Sequence, residues 1–298
     1  MVAEETVIEK TQTPSKIKDY VLLLKLRLSF LVVLSALSGY LFVGGGFGAN
    51  LWFLIIGGFL ITGASNGFNQ VIERELDKKM SRTSNRPLPT GRMSLNEALI
   101  ASSISAVIGA VLLFQINYFA GVLGVLALVL YVFIYTPMKR ITPWAVFVGA
   151  FPGAIPPMLG VIAVTGTFNG QAGMIAGMLF FIQFIWQFPH FWAIAWVLDK
   201  DYAKGGFSLL PSKTRKSKRS AFHILIYTLF MVPVSLIPWV LELTGDITLI
   251  IGSIAGTWFF LYAYKLYMRL DDKSAKGLMF ASFIYLPIIQ FLYVFNKI

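Results

Sequence analysis

Ser65-Asn66-Gly67-Phe68-Asn69-Gln70-Val71-Ile72-Glu73-Arg74-Glu75-Leu76-Asp77 closes a long apolar run that begins near residue 51. Such a run is long enough to cross a bilayer, which takes roughly 20 mostly apolar residues. Yet Asn69, Glu73 and Asp77 follow one another at i, i+4 and i+8, so on an α-helix they form a single stripe. Ionisable groups at the end of a hydrophobic helix are costly in lipid, and they mark a site more readily than a lipid-facing surface.

Outward from this stretch the same apolar length recurs. Spans are expected at about 28–46, 51–72, 96–117, 118–137, 142–165, 173–197, 221–241, 246–265 and 278–296. The chain is 57% hydrophobic and 13% charged, where a soluble domain carries about 25% charged residues. The expected fold is therefore an all-α polytopic membrane protein: one domain over 21–298, with nine transmembrane helices around a central cavity. Residues 1–20 are polar and lack the apolar core of a signal peptide, so they read as a short cytosolic tail. The absence of cysteine excludes a disulfide framework, a thiolate nucleophile and a Cys-based metal site.

The net charge of +11 is a topology signal and not a nucleic-acid patch. Of the 25 basic residues, 24 fall on alternate loops and only Lys297 on the other side. By the positive-inside rule the N-terminus is cytosolic and the C-terminus external, as an odd number of spans requires. The lipid bilayer is thus the first partner, and no nucleic acid is expected.

The stripe of Asn69, Glu73 and Asp77 offers oxygen ligands in a row. Mg²⁺ takes one or two carboxylates and completes its shell with water and substrate phosphate. Lys78, Lys79, Arg82, Arg86 and Arg92 follow at once, placed to meet phosphate oxygens. A solvated helix end with snorkelling charges is the plain alternative. Three converging polar groups beside a basic loop argue against it. Arg74 and Glu75 point off the stripe and read as an outward pair.

A second polar group lies on the sixth span: Gln183, Trp186, Gln187 and His190, running on to Asp199-Lys200-Asp201-Tyr202. Asp199 and Asp201 could hold a second cation, and Lys200 and Lys204 could meet phosphate. His190 reads either as an interhelical hydrogen-bond partner or as a ligand. His223 reads as structural. Asp77-Lys78 and Leu88-Pro89 are echoed at equal spacing by Asp199-Lys200 and Leu210-Pro211, a weak hint of two halves facing one cavity. In the fifth span Pro143, Pro152, Pro156 and Pro157 interrupt an apolar run among glycines. Such a segment lines a cavity or packs closely against neighbours.

These blocks together resemble the UbiA-type intramembrane prenyltransferases. The pattern comprises Asn69-Gln70, Asp77, Met80, Arg82-Thr83 and Asn85-Arg86-Pro87-Leu88-Pro89-Thr90-Gly91. It continues in Tyr135-Thr136-Pro137-Met138-Lys139-Arg140, Gly153-Ala154-Ile155-Pro156-Pro157 and Trp186-Gln187-Phe188-Pro189-His190-Phe191-Trp192. Asp201-Tyr202 and Leu209-Leu210-Pro211 complete it. Within that family the pattern is most similar to the branch that farnesylates haem. The resemblance implies farnesyl diphosphate and haem B as substrates, haem O as product, Mg²⁺ as cofactor and the bacterial inner membrane as location. A haem A synthase is a candidate partner.

It further implies Asn69, Glu73, Asp77, His190 and Asp201 as catalytic, with metal held by Asn69, Glu73, Asp77, Asp199 and Asp201. Lys79, Arg82, Arg86, Lys139, Arg140 and Lys200 would meet diphosphate, and His190 with Trp186 would orient haem. Two departures stand out. The middle stripe residue is Glu where the family commonly has Asp, and the second motif is poorer in carboxylates than in quinone-type members. A prenyltransferase acting on a quinone precursor and a membrane transporter or haem or lipid carrier are the competing readings. A transporter would place its polar residues near the midplane, whereas the acidic stripe lies at one face.

Overall fold

The computed structural model describes residues 15–298. Residues 1–14 of the expected tail lie outside the described residues, and residues 16–20 are already helical. Regular structure among the described residues is helical, apart from one isolated bridge between Thr244 and Lys297. Among the described residues eight helices are long and apolar enough to span a membrane, or nine where a bent pair is counted as one span.

That pair is α1 (Lys16–Leu24) and α2 (Leu26–Phe42), which meet at 43°. Next come α3 (Ala49–Asp77) and α4 (Leu95–Ile116). The fourth span is composite: α5 (Tyr118–Val129), a π-helical turn (Leu130–Tyr135) and α6 (Thr136–Met138). Then follow α7 (Ala145–Thr165), α8 (Gly170–Val197) and the short α9 (Asp199–Lys204). The last elements are α10 (Lys218–Val234), the short α11 (Ile237–Val240), α12 (Asp246–Arg269) and α13 (Asp272–Phe295).

All nine expected spans find a helical counterpart, but two breaks fall elsewhere than the sequence suggests. The first span is broken at Lys25, a non-glycine residue in the left-handed region (φ 47°, ψ 57°), at a cost of about 1–2 kcal/mol. The break orphans carbonyls inside an apolar environment, where each must find a donor. Gln70 Nε2 supplies one, donating to Leu22 O (3.1 Å) and Leu23 O (2.7 Å). Ser29 Oγ donates to Leu24 O at 3.0 Å. The span with the interior prolines, by contrast, is one continuous helix, α7, with Pro152, Pro156 and Pro157 inside it. Each proline lacks the N–H that would serve the carbonyl four residues back. For Pro157 that carbonyl is Gly153 O, and Gln183 Nε2 of α8 donates to it at 2.7 Å. Gln183 in turn accepts from Gln290, which bonds Ser35. A polar chain across α8, α13 and α2 thus serves a backbone atom freed by a proline.

The small residues of α7 do both jobs the sequence left open. Gly149, Pro152, Gly153, Pro156 and Leu159 line a cavity. Gly160 packs so closely on α2 that a β-carbon there would overlap the Ala36 carbonyl, and Gly39 meets the Pro157 carbonyl in the same way. The cavity walls come from α2, α3, the α5–α6 span, α7, α8 and α13. α10 and α12 stand outside this ring, packed on α8 and α13.

Because backbone meets backbone at Gly160, Gly160→Val should destabilise the bundle by about 1–3 kcal/mol, read as a lower melting temperature in detergent. Gly177→Ala, which enters open space, should leave that temperature unchanged or slightly higher. Equal behaviour of the two variants would contradict the packing described for α2 and α7.

Candidate active site

α3 does not stop at residue 72 but runs to Asp77, which carries the whole stripe on helical geometry. Thr62, Asn66, Asn69, Glu73 and Asp77 all line the cavity. Asn66 stands three residues before Asn69 on the same side of α3, where the four-residue spacing of the stripe points to Ser65 instead.

The orientation of Asn69 follows from proton accounting. Thr136 Oγ1 donates to Tyr131 O at 2.8 Å, so its single proton is committed. It can then only accept, and Asn69 Nδ2 donates to it at 3.1 Å. The amide oxygen of Asn69 is left free to face the stripe. Thr136 also closes the π-helical turn, a feature frequent at functional sites. That turn sets Tyr131 and Tyr135 on the cavity wall and delivers Lys139 to its mouth.

Both stripe carboxylates are buried, Asp77 fully and Glu73 to 5% exposure. Each meets a cation: Glu73 Oε1 lies 2.5 Å from Lys139 Nζ, and Asp77 Oδ2 accepts from Arg86 Nη1 at 2.7 Å. The first contact is an ion pair without hydrogen-bond alignment. Lys139 also lies over the rings of Tyr135 (5.0 Å) and Phe207 (5.4 Å). Burial pushes its pKa below the ordinary lysine value, opposed by the Glu73 charge. Asp77 Oδ1 and Asn66 Oδ1 are buried with no partner. Two orphaned oxygens, a free amide oxygen and a second carboxylate lie along one cavity-lining stripe. They are oxygen donors of the kind a hard divalent cation takes, although among the described residues no three Asp, Glu or His side chains cluster as a metal site.

Lys25 is the cation that sequence reasoning missed, having counted it only as a charge beside the first span. The left-handed break that interrupts α1–α2 turns its side chain into the cavity, alongside Arg82, Arg86 and Lys139. No sequence signal marks this, because lysine is not a residue that favours the left-handed region.

The second motif is placed differently from the expectation. Asp199 accepts from Arg215 Nε at 3.0 Å and does not line the cavity. Asp201 spends both oxygens on the backbone of the first loop, accepting from Ser81 N (2.8 Å) and Arg82 N (3.1 Å). Neither is brought to the stripe. Lys79, Arg140 and Lys200 are exposed and away from the cavity. Asp201 instead fastens together the two loops that echo each other in sequence, aided by Lys204 Nζ on Ser81 Oγ (3.0 Å). Arg82 is held in the process, 6.0 Å above the Tyr202 ring. Arg74 and Glu75 do face outward, as a surface pair with Lys78.

Deeper in the cavity, Trp186 and His190 of α8 are stacked, with centroids 4.3 Å apart. Leu28, Leu31 and Phe283 line the cavity and are also partly exposed on the surface of the bundle. Its volume of about 440 Å³ falls within the range of small-molecule sites. One end is charged and the rest mainly apolar and aromatic, with Ser35, Gln183, Gln187 and His190 among its polar side chains.

A sequence profile described as the UbiA prenyltransferase family matches residues 32–286. The chain belongs to the UbiA prenyltransferase family. It is similar to the protohaem IX farnesyltransferase of Cytophaga hutchinsonii, 45% identical over 95% of this chain and 99% of that one. Similar relatives of the same description come from Flavobacterium psychrophilum (45%, covering 94% of each chain) and Christiangramia forsetii (46%, covering 95% and 94%). Among solved structures the UbiA fold recurs in digeranylgeranylglyceryl phosphate synthase, with TM-score 0.77, 20% identity and coverage of 94% and 98%. It recurs also in an Archaeoglobus fulgidus UbiA homologue bound to GPP and Mg²⁺, with TM-score 0.65, 13% identity and coverage of 93% and 99%. The protein is an integral membrane prenyltransferase.

The Asp201 clamp has a pH consequence. Burial raises its pKa, but the amide donors of Arg82 and Ser81 outweigh this together and hold the carboxyl below its usual value. A depressed native pKa gives stability that is present above the unfolded value of about 3.9. That stability is lost as pH falls through the native value. Proteolytic nicking at residues 79–92 should therefore rise in acid and should already be raised at neutral pH in Asp201→Ala. Equal nicking of wild type and variant at neutral pH would remove Asp201 as the clamp.

Proposed function

We propose that the protein transfers a farnesyl group from farnesyl diphosphate to a vinyl group of haem B, giving haem O and diphosphate. What supports this most is a buried oxygen-rich stripe, facing four cationic side chains, at the charged end of an otherwise mainly apolar cavity. That layout suits a prenyl diphosphate. The acceptor rests on the relatives, which are protohaem IX farnesyltransferases at 45–46% identity over nearly the whole chain.

A magnesium ion, as bound in the Archaeoglobus neighbour, would be held by Asn69, Glu73 and Asp77, with Asn66 on the same side of α3. When bound it supplies positive charge to the diphosphate oxygens. Lys139 and Arg86 then exchange their carboxylate partners for those oxygens, joined by Lys25 and Arg82. Stabilised in this way, the leaving group takes the electron pair of the allylic C–O bond. The farnesyl cation faces the rings of Tyr131, Tyr135 and Tyr202, whose π faces favour positive charge. The apolar wall keeps water from it. The vinyl π electrons of haem B form the new C–C bond. Water captures the resulting cation beside the porphyrin and loses a proton, leaving the hydroxyl group.

On the charge distribution of the loops, the site faces the cytosol of a bacterial inner membrane, with the N-terminus inside and the C-terminus outside. An enzyme that consumes haem O, such as a haem A synthase, would draw on the product.

Purified protein given haem B, farnesyl diphosphate and Mg²⁺ should yield haem O by mass. A prenylated benzoate formed in its place would overturn the assignment. Asp77→Asn, folded, should nearly abolish turnover, and wild-type rates would remove Asp77 from the site. Lys25→Met should raise KM for farnesyl diphosphate about tenfold or more, since a charge-assisted contact contributes roughly 1.5–3 kcal/mol. An unchanged KM would return Lys25 to a purely topological role.

A further inference from the structure

Ser282 of α13 decides which nitrogen of His190 carries the proton. Ser282 Oγ lies 2.6 Å from Met279 O. A carbonyl has no hydrogen, so the serine must be the donor and its only proton is committed there. Ser282 Oγ also lies 2.8 Å from His190 Nδ1. With its proton gone the serine can only accept, and Nδ1 therefore carries a hydrogen. In a neutral imidazole the other nitrogen, Nε2, then holds an unprotonated lone pair.

The ring is fixed on every side. Trp186 stacks on one face, and the Trp186 indole N–H donates to Ser282 O at 3.2 Å. Phe283 meets the ring edge-on at 5.0 Å, and Phe191 lies at 5.6 Å. His190 is 8% exposed and lines the cavity. Among the described residues Nε2 has no hydrogen-bond partner, and it is not among the polar atoms sealed from the cavity without one. A lone pair thus looks into a mainly apolar pocket, on a ring whose other nitrogen is tied to an oxygen. Metal-bound histidines have this outer arrangement.

Two chemistries could use such a lone pair: taking a proton from water, or binding a metal. A base must become imidazolium, and in an apolar site that charge needs an anion beside it. Among the described residues no carboxylate forms an ion pair with His190: its hydrogen-bond and ring contacts are Trp186, Phe191, Phe283 and the Ser282 hydroxyl. A dative bond to a metal keeps the imidazole neutral and needs no such partner.

We infer that His190 binds the iron of haem B through Nε2, and that Ser282 is the positioning residue that sets this tautomer. The inference rests on haem B being the acceptor. It adds that the acceptor is held by its iron while its vinyl edge meets the farnesyl chain. His190 lies seven residues before the end of α8, as Asn69 lies eight before the end of α3, and both line the same cavity.

The test is a titration of the full-length protein in detergent with ferric haem B, read by Soret absorption and electron paramagnetic resonance. Wild type should show an imidazole-ligated haem. His190→Ala should lose that signature, and added imidazole should restore it. Ser282→Ala should weaken haem affinity about 10–100-fold, as loss of an outer partner of a ligating histidine does. Ser282→Thr, which keeps the hydroxyl, should stay near wild type. Spectra of His190→Ala identical to wild type would overturn the inference, as would an affinity in Ser282→Ala equal to that in Ser282→Thr. A separate mass assay for haem O distinguishes the two failures. Wild-type turnover with His190-independent spectra contradicts the iron ligand alone. His190-dependent spectra without haem O contradict the proposed reaction and leave the ligand standing.

Discussion

Two carboxylates buried in a membrane protein must be compensated, and most of this structure can be traced to that requirement. Breaking a buried ion pair by removing one partner typically costs 3–5 kcal/mol. Glu73 and Asp77 are therefore tolerable only with Lys139 and Arg86 in place. The chain brings those cations from two separate segments, the end of the fourth span and the loop after α3. Their pairing ties α3 to both. The same cations are the groups that a diphosphate would need, so a site stable without ligand is already charged correctly for one.

The irregular backbone elements serve this arrangement. The left-handed break at Lys25 brings a further cation to the stripe, and Gln70 on α3 satisfies the carbonyls that the break exposes. The π-helical turn before α6 fixes Asn69 through Thr136 and aims Lys139. The prolines of α7 free a carbonyl that Gln183 takes up. In each case named side chains take up backbone carbonyls that the irregularity frees. These side chains are polar residues that would otherwise be hard to account for inside spans.

Much of this was legible in the sequence, and the reason is physical. Long apolar runs with charges sorted onto alternate loops have few solutions other than a helical bundle, and the periodicity of Asn69, Glu73 and Asp77 survives because α3 is regular. What escaped the sequence depends on geometry that periodicity does not encode. Lys25 looks like any basic residue at a span boundary until its φ is known. Asp201 looks like a metal ligand beside Asp199, yet its oxygens are occupied by backbone amides one loop away. Proline content pointed to a break in α7, but a neighbouring glutamine lets the helix run on. Ser282 lies in an ordinary apolar stretch, and only a hydrogen-bond chain identifies it.

The central claim is that the stripe on α3 and its cations form one cation-dependent diphosphate site. Calorimetric titration with a non-reactive thio analogue of farnesyl diphosphate, with and without Mg²⁺, tests it most directly. Tight binding that requires Mg²⁺ and is lost in Glu73→Gln is the predicted result. Binding of equal strength without the metal, or unchanged in Glu73→Gln, would contradict it.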